Sequence, residues 1–412
     1  MSAFSIPLSG LAASSSSLNV VANNLANLNT DGFKNQSLVF GDIFNQMQQT
    51  SGNGNPIQVG SGVQVAGRFA NFADGNVTAT GVASNMALQG NGFFVLQGNN
   101  GTSYTRAGNF TVNSHGQLCA PDGQLVMGYP AVNGVVSSGA SLGPIVVNQA
   151  STIPALATSS FQMNTNLNAS AAVGDSLNSP ITVYDSLGTA HVLTVQYTKT
   201  AANTWSYNIT IPSADLGGTG APSSVSTGSL TFDSNGILTS PASPVTGINI
   251  SGLADGASPM ALSWNLTGAS GSSLITQQDA ASGTPSTDQN GYGVGTLSGY
   301  SVLPDGTVQG QFSNSQTLAL GQVAVASFAN VQGLQQSANN EYQPTFASGT
   351  AVIGRAQSGG NGTITGGAVE SSNVDLSTQF AKMIVAQQSY EANAKVLTTL
   401  NQVSQATLQM LT

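Results

Sequence analysis

The chain has 412 residues, of which 40% are hydrophobic and only 6% charged, with a net charge of −9 at pH 7. That length allows two or three domains and a sizeable core. Seven Lys and Arg in the whole chain exclude an electrostatic grip on nucleic acid or on an anionic membrane surface. One cysteine, Cys119, excludes an internal disulfide and reads as a small apolar filler in a strand. No stretch approaches the ~18 apolar residues of a membrane span, so no membrane insertion is expected. The N-terminus has no basic region, and Ser and Asn interrupt its apolar run, so it does not read as a secretory signal. The surface must be built from Ser, Thr, Asn, Gln and Gly, which keep neighbours apart poorly by charge and suit close packing between subunits.

The first thirty residues contain no ionisable side chain. Phe4, Leu11, Leu18 and Leu25 recur every seventh position, with Leu8, Val21 and Leu28 beside them. This predicts a helix from about Pro7 to Leu28. Pro7 is tolerated in a first turn, and Asn29-Thr30-Asp31-Gly32 forms the stop. Gly10 and the run Ser14 to Ser17 weaken it, so it is expected to order only when packed.

From about residue 70 to 365 the texture changes to short alternating runs. Asp74-Gly75, Asn91-Gly92, Asn100-Gly101, Asp122-Gly123, Asn235-Gly236 and Asp305-Gly306 are hairpin-type turn signals. Phe93 to Leu96, the run Val192, Leu193, Val195, Tyr197, and the run Val323, Val325, Phe328 read as strands. Segments 137–175 and 265–290, rich in Ser, Gly, Ala and Thr, bracket a stretch containing Trp205, Tyr207, Phe232 and Trp264. The bracketed stretch reads as a second β domain inserted into the first.

The second helix is predicted from near Ser372, where Ser372-Asn373-Val374-Asp375 resembles a capping box, to about Leu411. At 1.5 Å per residue it spans on the order of 55 Å, long for a lone globular helix. Leu376, Met383, Tyr390, Leu397 and Leu411 keep the seven-residue beat, broken at Ser404 and flanked by Phe380, Ala394 and Leu408. The expected fold is mixed and mainly β: nested discontinuous β domains with an N-/C-terminal α-helical coiled-coil pair. The boundaries are 1–30 with 371–412 for the helices and 31–70 with 355–370 for a connector. An inner β domain takes 71–150 with 289–354, and an inserted outer β domain takes 151–288.

Chemistry is hard to find. His115 and His191 are the only histidines; His115 has Cys119 alone nearby and His191 has neither a Cys nor a second His, so no metal site is written locally. Asp185 and Asp233 lie near turns, where Asp caps backbone N–H groups. Gly90-Asn91-Gly92-Phe93-Phe94 is too brief for a phosphate loop and lacks its Lys. Arg106 and Arg355 read as members of surface pairs. The expectation is no catalytic residue, no metal and no cofactor. The helix stripes carry the signal instead. Ile6, Val20, Val21 and Leu28 spread the first stripe around its helix, and one partner helix cannot cover it. Subunit packing is therefore assigned to Phe4, Leu11, Leu18, Val21, Leu25 and Leu28, together with Leu376, Phe380, Met383, Tyr390, Leu397 and Leu408.

Ser9-Gly10-Leu11-Ala12-Ala13 and the run Asn23-Asn24-Leu25-Ala26-Asn27-Leu28-Asn29-Thr30-Asp31-Gly32-Phe33-Lys34 resemble the N-terminal signature of bacterial flagellar rod and hook proteins. The C-terminal signature is present in Val369-Glu370-Ser371-Ser372-Asn373-Val374-Asp375-Leu376, then Phe380, Met383 and Tyr390-Glu391-Ala392-Asn393-Ala394-Lys395. Asn23, Asn24, Asn27, Asn29, Thr30, Gly32, Phe33, Asn373, Asp375 and Asn393 are the motif positions. Tyr184-Asp185-Ser186-Leu187-Gly188-Thr189-Ala190-His191 and Val302-Leu303-Pro304-Asp305-Gly306-Thr307 are similar to hook-protein segments in particular. In the last helix Gln388 stands where the family usually has Arg.

The resemblance implies a structural subunit that polymerises with itself into the flexible tube carrying motor torque to the filament. It also implies export through the flagellar type III apparatus without a cleaved signal peptide. The implied partners are distal rod, hook cap and hook-filament junction proteins, and the implied location is the hook and basal body. A distal rod or hook-associated axial protein is the neighbouring alternative. A secreted β-rich adhesin or glycan hydrolase is the alternative of another class.

Overall fold

In the computed structural model of the chain, residues 4–44, 49–50, 56–57, 60–99, 101–137, 139–148, 151–268 and 271–410 are described. Asn100 and Leu411, both used above, lie outside that set. The chain is mainly β, with two long helices, α1 (Ser5–Ala26) and α2 (Leu376–Met410). It divides into two compact units. Unit 1 is Met1–Asn148, Gly299–Gly310 and Thr317–Thr412; unit 2 is Gln149–Ser298 and Gln311–Gln316. No described helix is long and apolar enough to cross a membrane.

In unit 1, α1 begins two residues before Pro7 and carries no side-chain cap. The start of α2 lies three residues later than the capping-box reading places it. Asp375 is the reason: its carboxylate accepts from the Thr378 N–H at 2.7 Å, so the cap sits at Asp375. Hydrogen bonds from the Thr378 side chain and its backbone N–H hold the Asp375 carboxyl below its ordinary pKa. Segment 31–70 contains a two-stranded antiparallel hairpin, Gln36–Phe44 against Gly60–Ala70, in which Gln36 opposes Ala70. Alternating side chains put Leu38, Phe40 and Val63 beside α1 and α2.

The unit 1 sheet orders Thr317–Ser327, Leu125–Pro130, Phe93–Gly98, Gly101–Thr105 and Glu341–Gln343, all antiparallel. Phe93-Phe94-Val95-Leu96 is buried on both faces, as an unbroken apolar run in a central strand requires. Phe94 and Leu96 join Met86, Leu118 and Val323 on one side; Phe93 and Val95 join Tyr104 and Tyr342 on the other. The Asp122-Gly123 and Asp305-Gly306 signals are tight turns, closed by Gly123 N–H to Ala120 O and Gly306 N–H to Leu303 O.

Unit 2 pairs two sheets around one core. The first runs Ser176–Tyr184, Ala190–Ala201, Thr204–Ile211, Ser223–Phe232 and Leu238–Ser240 as an antiparallel meander. In the second, Ser160–Asn166 lies parallel to Met260–Asn265 and antiparallel to Gly283–Gln289. Strict alternation along Thr204–Ile211 sends Trp205, Tyr207, Ile209 and Ile211 inward. There Trp264 stacks on Phe161 at 6.1 Å and meets the Tyr207 ring edge-on at 5.2 Å.

Candidate assembly interface

The two ends of the chain meet in unit 1 as an antiparallel helix pair. Near one end of the pair, Asn24 on α1 donates to Gln379 Oε1 on α2 at 3.1 Å. Near the other, a Cβ added to Gly10 would lie 2.7 Å from Asn393 Oδ1, so the backbone there comes close to α2. The seam between them is small and polar. Ala13, Ser14, Val21 and Asn24 are buried on α1, and Gln379 and Ala386 on α2. Small residues let the helix axes approach more closely than leucines would.

The residues assigned to subunit packing flank this seam. Leu11, Leu18, Leu25, Leu28 and Phe4 are half-buried, as are Met383 and Leu397, and Val21 is buried in the seam itself. Leu376, Phe380, Tyr390 and Leu408 are exposed. At 100° per residue, Leu11, Leu18 and Leu25 share one side of α1, and Phe380, Met383 and Tyr390 share the matching side of α2. The hairpin packs against α1 on the opposite side of the pair, and between it and the helices lies a groove lined by Ala13, Ser17 and Val20 of α1 and Lys382, Val385 and Ser389 of α2. The helix pair is thus a ribbon with one hairpin side and one bare apolar side. Counting back from the Gly10–Asn393 and Asn24–Gln379 contacts, the last dozen or so residues of α2 run past the start of α1, and Asn401 to Met410 are exposed.

The motif residues converge just below the pair. Asn24 also donates to Gln36 O at 2.8 Å and accepts from Gln36 N–H at 2.9 Å, which fixes the hairpin to α1. Asn373 Oδ1 accepts from Asn35 N–H at 2.7 Å, while its Nδ2 donates to Asn71 O and Ala73 O, both at 2.8 Å. Gly32 takes φ +66° and donates its N–H to Glu370 O at 2.7 Å. Phe33 is buried beside it. Asn27 donates to Asn23 O at 2.9 Å and accepts from the Thr30 hydroxyl at 3.1 Å, closing the end of α1. Asn29 is exposed, and Asn393 is half-buried against Gly10.

Charge is concentrated at the same junction. Lys34 and Glu370 are each 1% exposed and form an ion pair at 2.6 Å. Arg106 lies 3.6 Å from the other Glu370 oxygen and 3.2 Å from Asp74. Glu370 further accepts from Gly75 N–H at 2.7 Å, and Lys34 donates to Ala73 O at 2.9 Å. Burial pulls the Lys34 pKa down, and the Glu370 charge works against that fall. The surface pairing expected of Arg106 is therefore wrong. Its guanidinium is 3% exposed and also donates to Leu88 O and Gly90 O. Nothing near Arg106 in sequence announces the acid it serves, since Glu370 lies 264 positions away. Arg355 donates to Ser137 O at 2.7 Å and stacks on Tyr129, and Lys199 in unit 2 donates to Ala169 O and Ala171 O.

Unit 2 holds one further polar cluster. His191 Nε2 lies 3.1 Å from Asp185 Oδ2, and its Nδ1 lies 3.0 Å from Asp215 Oδ2. Asp185 also accepts from Leu187 and Thr189 N–H groups, the turn-capping role read from sequence. Burial disfavours the imidazolium, but hydrogen bonds and charge from Asp185 and Asp215 outweigh it and raise the His191 pKa. Burial would lift Asp185, yet contacts with Asp255 and His191 and the backbone N–H groups hold it down at about 2. Ligand-type atoms of Asp185, His191 and Asp255 lie within 4.8 Å of one another. Both imidazole nitrogens are already engaged by carboxylates, so the cluster acts as an internal lock on the 184–191 turn. His115 is exposed in a turn, and Cys119 is buried at a strand end.

Residues 6–34 match the flagella basal body rod protein family, and 365–410 match the flagellar basal body rod FlgEFG protein C-terminal family. Residues 146–292 match the flagellar basal body protein FlaE D2 domain. The flagellar hook protein FlgE of Salmonella typhimurium is 38% identical over 416 residues, covering 97% of this chain and 98% of that one. The chain belongs to the flagellar hook protein family. Hook proteins of Escherichia coli, at 36% identity, and of Borreliella burgdorferi, at 31%, also align over 97% and 98% of this hook-family chain and 98% of their own. The crystal structure of Helicobacter pylori flagellar hook protein FlgE2 shares the fold with a TM-score of 0.54 at 15% identity, over 71% of this chain and 100% of that one.

Proposed function

We propose that this chain works as a helical homopolymer, the structural subunit of the flagellar hook, with its helix pairs forming the tube that carries torque. The observation that carries the reading is the bare apolar side of the α1–α2 ribbon. Leu11, Leu18 and Leu25 lie half-buried beside exposed Phe380 and Tyr390, on helices already joined through a separate small-residue seam. Burial of that side between copies supplies the driving force for assembly. The β units, with surfaces of Ser, Thr, Asn and Gly, supply polar contacts that water can replace, so they can slide as the tube bends. Export through the flagellar type III apparatus without a cleaved signal, and contacts with distal rod, hook cap and hook-filament junction proteins, belong to the same proposal. A family of structural subunits gives no reason to assign an enzyme activity. Antibody labelling of purified hook–basal bodies tests the reading. Label outside the outer-membrane ring supports a hook subunit, and label confined to the rod refutes it in favour of a rod protein.

A further inference from the structure

Where the end of α1 meets the unit 1 sheet lies a cavity of about 460 Å³, with Asn27, Thr30, Asp31, Asp122, Asn340 and Glu341 in its lining. Among the described residues that line it there is no Lys, Arg or His. Two of its acids share one donor. Gln124 Nε2 donates to Asp122 Oδ2 at 2.8 Å and also to Glu341 Oε1. Asp122 sits in an exposed turn, whereas Glu341 is 7% exposed. Glu341 closes a turn with an unfavourable backbone. Asn339 and Asn340 take φ +59° and +57°, two successive left-handed residues that are not glycine. Asn339 donates to Asp122 Oδ2 at 3.3 Å, and Asn340 donates to Asp31 O at 3.0 Å. The Asn340 carbonyl accepts from the Thr105 hydroxyl at 3.0 Å, and Ser337 N–H donates to Glu341 O at 2.8 Å across the turn. The turn thus ties the end of α1 to the Asp122 turn and to strand Gly101–Thr105, all within unit 1.

We propose that Asp122 and Glu341 form a proton-operated latch on the 337–341 turn, closed while the two carboxyls share one proton and released when Glu341 loses it. With the proton in place, the Glu341 hydroxyl donates to the Asp122 carboxylate. Without it, two carboxylates face each other across a single amide, with no cation in the cavity lining to offset them. The left-handed asparagines then relax, and Asn340 lets go of Asp31. Burial and the facing Asp122 carboxyl push the Glu341 pKa up. Burial would raise Asp122 as well, but hydrogen bonds from Gln124, Glu341 and Asn339 hold it below its ordinary value. The closed latch is therefore complete below the ordinary Glu value of 4.5 and is lost as pH rises through the folded one. Asp122 sets the acid limit, its contribution being lost as pH falls below 3.8. The neighbouring groups do not take over the proton. Asp31, raised by burial, offers the turn its backbone carbonyl. Ser103 and Gln124 are neutral donors to Glu341. Tyr104 and Tyr342, on the strands beside it, are pushed further above neutrality by burial. Arg106 is engaged by Glu370, Asp74 and two carbonyls. The latch needs no second copy of the chain, so it stands apart from the hook-subunit reading.

The test is hydrogen exchange of the full-length chain, read by mass spectrometry on peptides spanning 337–342 and corrected for the intrinsic pH dependence of exchange. Protection of the turn should fall about tenfold between pH 4.5 and pH 7, as expected for the loss of one hydrogen bond to a charged group. Glu341→Gln supplies an amide that donates to Asp122 at every pH, so protection should stay high and flat over that range. Asp122→Asn removes the facing charge and should flatten the profile too. Its position is exposed, so it keeps the test available should Glu341→Gln fail to fold. Asp31→Asn should leave the fall in place. Equal protection of the unmodified chain at both pH values overturns the inference. So does a fall that persists in Glu341→Gln and Asp122→Asn, or one that Asp31→Asn removes.

Discussion

Replacing Glu370 by Gln isolates the role of the buried charges that join the two ends of the chain. The carboxylate is 1% exposed and faces Lys34 at 2.6 Å and Arg106 at 3.6 Å. Glutamine keeps a carbonyl oxygen as an acceptor but removes the charge, which leaves an ammonium 1% exposed with no counter-ion nearer than the more distant, partly exposed Asp74. Breaking one side of a buried pair costs about 3–5 kcal/mol. In a unit of this size each kcal/mol moves the melting temperature by roughly 2–4 °C, so the expected fall is about 6–20 °C. Calorimetry of the full chain should resolve the effect because Lys34, Glu370, Arg106 and Asp74 all belong to unit 1. The unit 1 transition should fall and the unit 2 transition should hold. The double variant Lys34→Met with Glu370→Leu should recover part of the loss, since it removes the stranded ammonium while Arg106 and the Gly75 N–H still lack Glu370. A fall under about 2 °C for Glu370→Gln, or an equal fall in both transitions, would refute the argument.

Three other outcomes are expected. Gly32→Ala forces a Cβ to within 2.5 Å of the Ala107 backbone nitrogen at φ +66°, and should cost at least about 1–3 kcal/mol in urea titrations of unit 1. Leu18→Asp should leave a folded monomer, because the half-buried side chain can reach water, yet abolish tubes in electron micrographs; Leu397→Asp should do the same, and normal hooks from either would remove the bare face from the mechanism. Unit 2 should be most resistant to urea between about pH 4 and 6.5. The raised His191 pKa gives stability that is complete below its unfolded value of 6.5 and is lost as pH rises through the folded one. The depressed Asp185 pKa gives stability that is complete above 3.8 and is lost as pH falls towards about 2. His191→Asn should flatten the neutral-side slope; a slope that persists would assign it to another group.

The terminal helices are legible in the sequence because a seven-residue apolar beat without charges is a local signal that survives in one dimension. Which face meets which is not. The leucines stand out in a hydrophobicity pattern, whereas the seam uses Gly10, Ala13, Ser14 and Ala386, whose value is that they are small. The β texture and the turns at Asp122 and Asp305 are readable from Asp-Gly pairs and alternation. The 36–70 hairpin escapes notice, its alternation diluted by Gly41, Gly62 and Gly67. Polar networks are the hardest to see. Lys34 finds its partner 336 positions away, and His191 finds Asp215 across 24. Distance along the chain carries no trace of such pairs, so Arg106 reads wrongly as a surface residue and the junction as a mere connector.

Three of the seven cations of this chain are turned inward. Lys34, Arg106 and Lys199 are buried, and Arg355 lies against a tyrosine and a backbone carbonyl. Among the described cations only Arg68, Lys382 and Lys395 are left exposed to bridge one molecule to the next. Cohesion in an assembly of such chains would rest on dry apolar strips and neutral amides, neither of which is weakened by counterion screening. A bacterium moving from fresh water to brine would then keep the same mechanical joint.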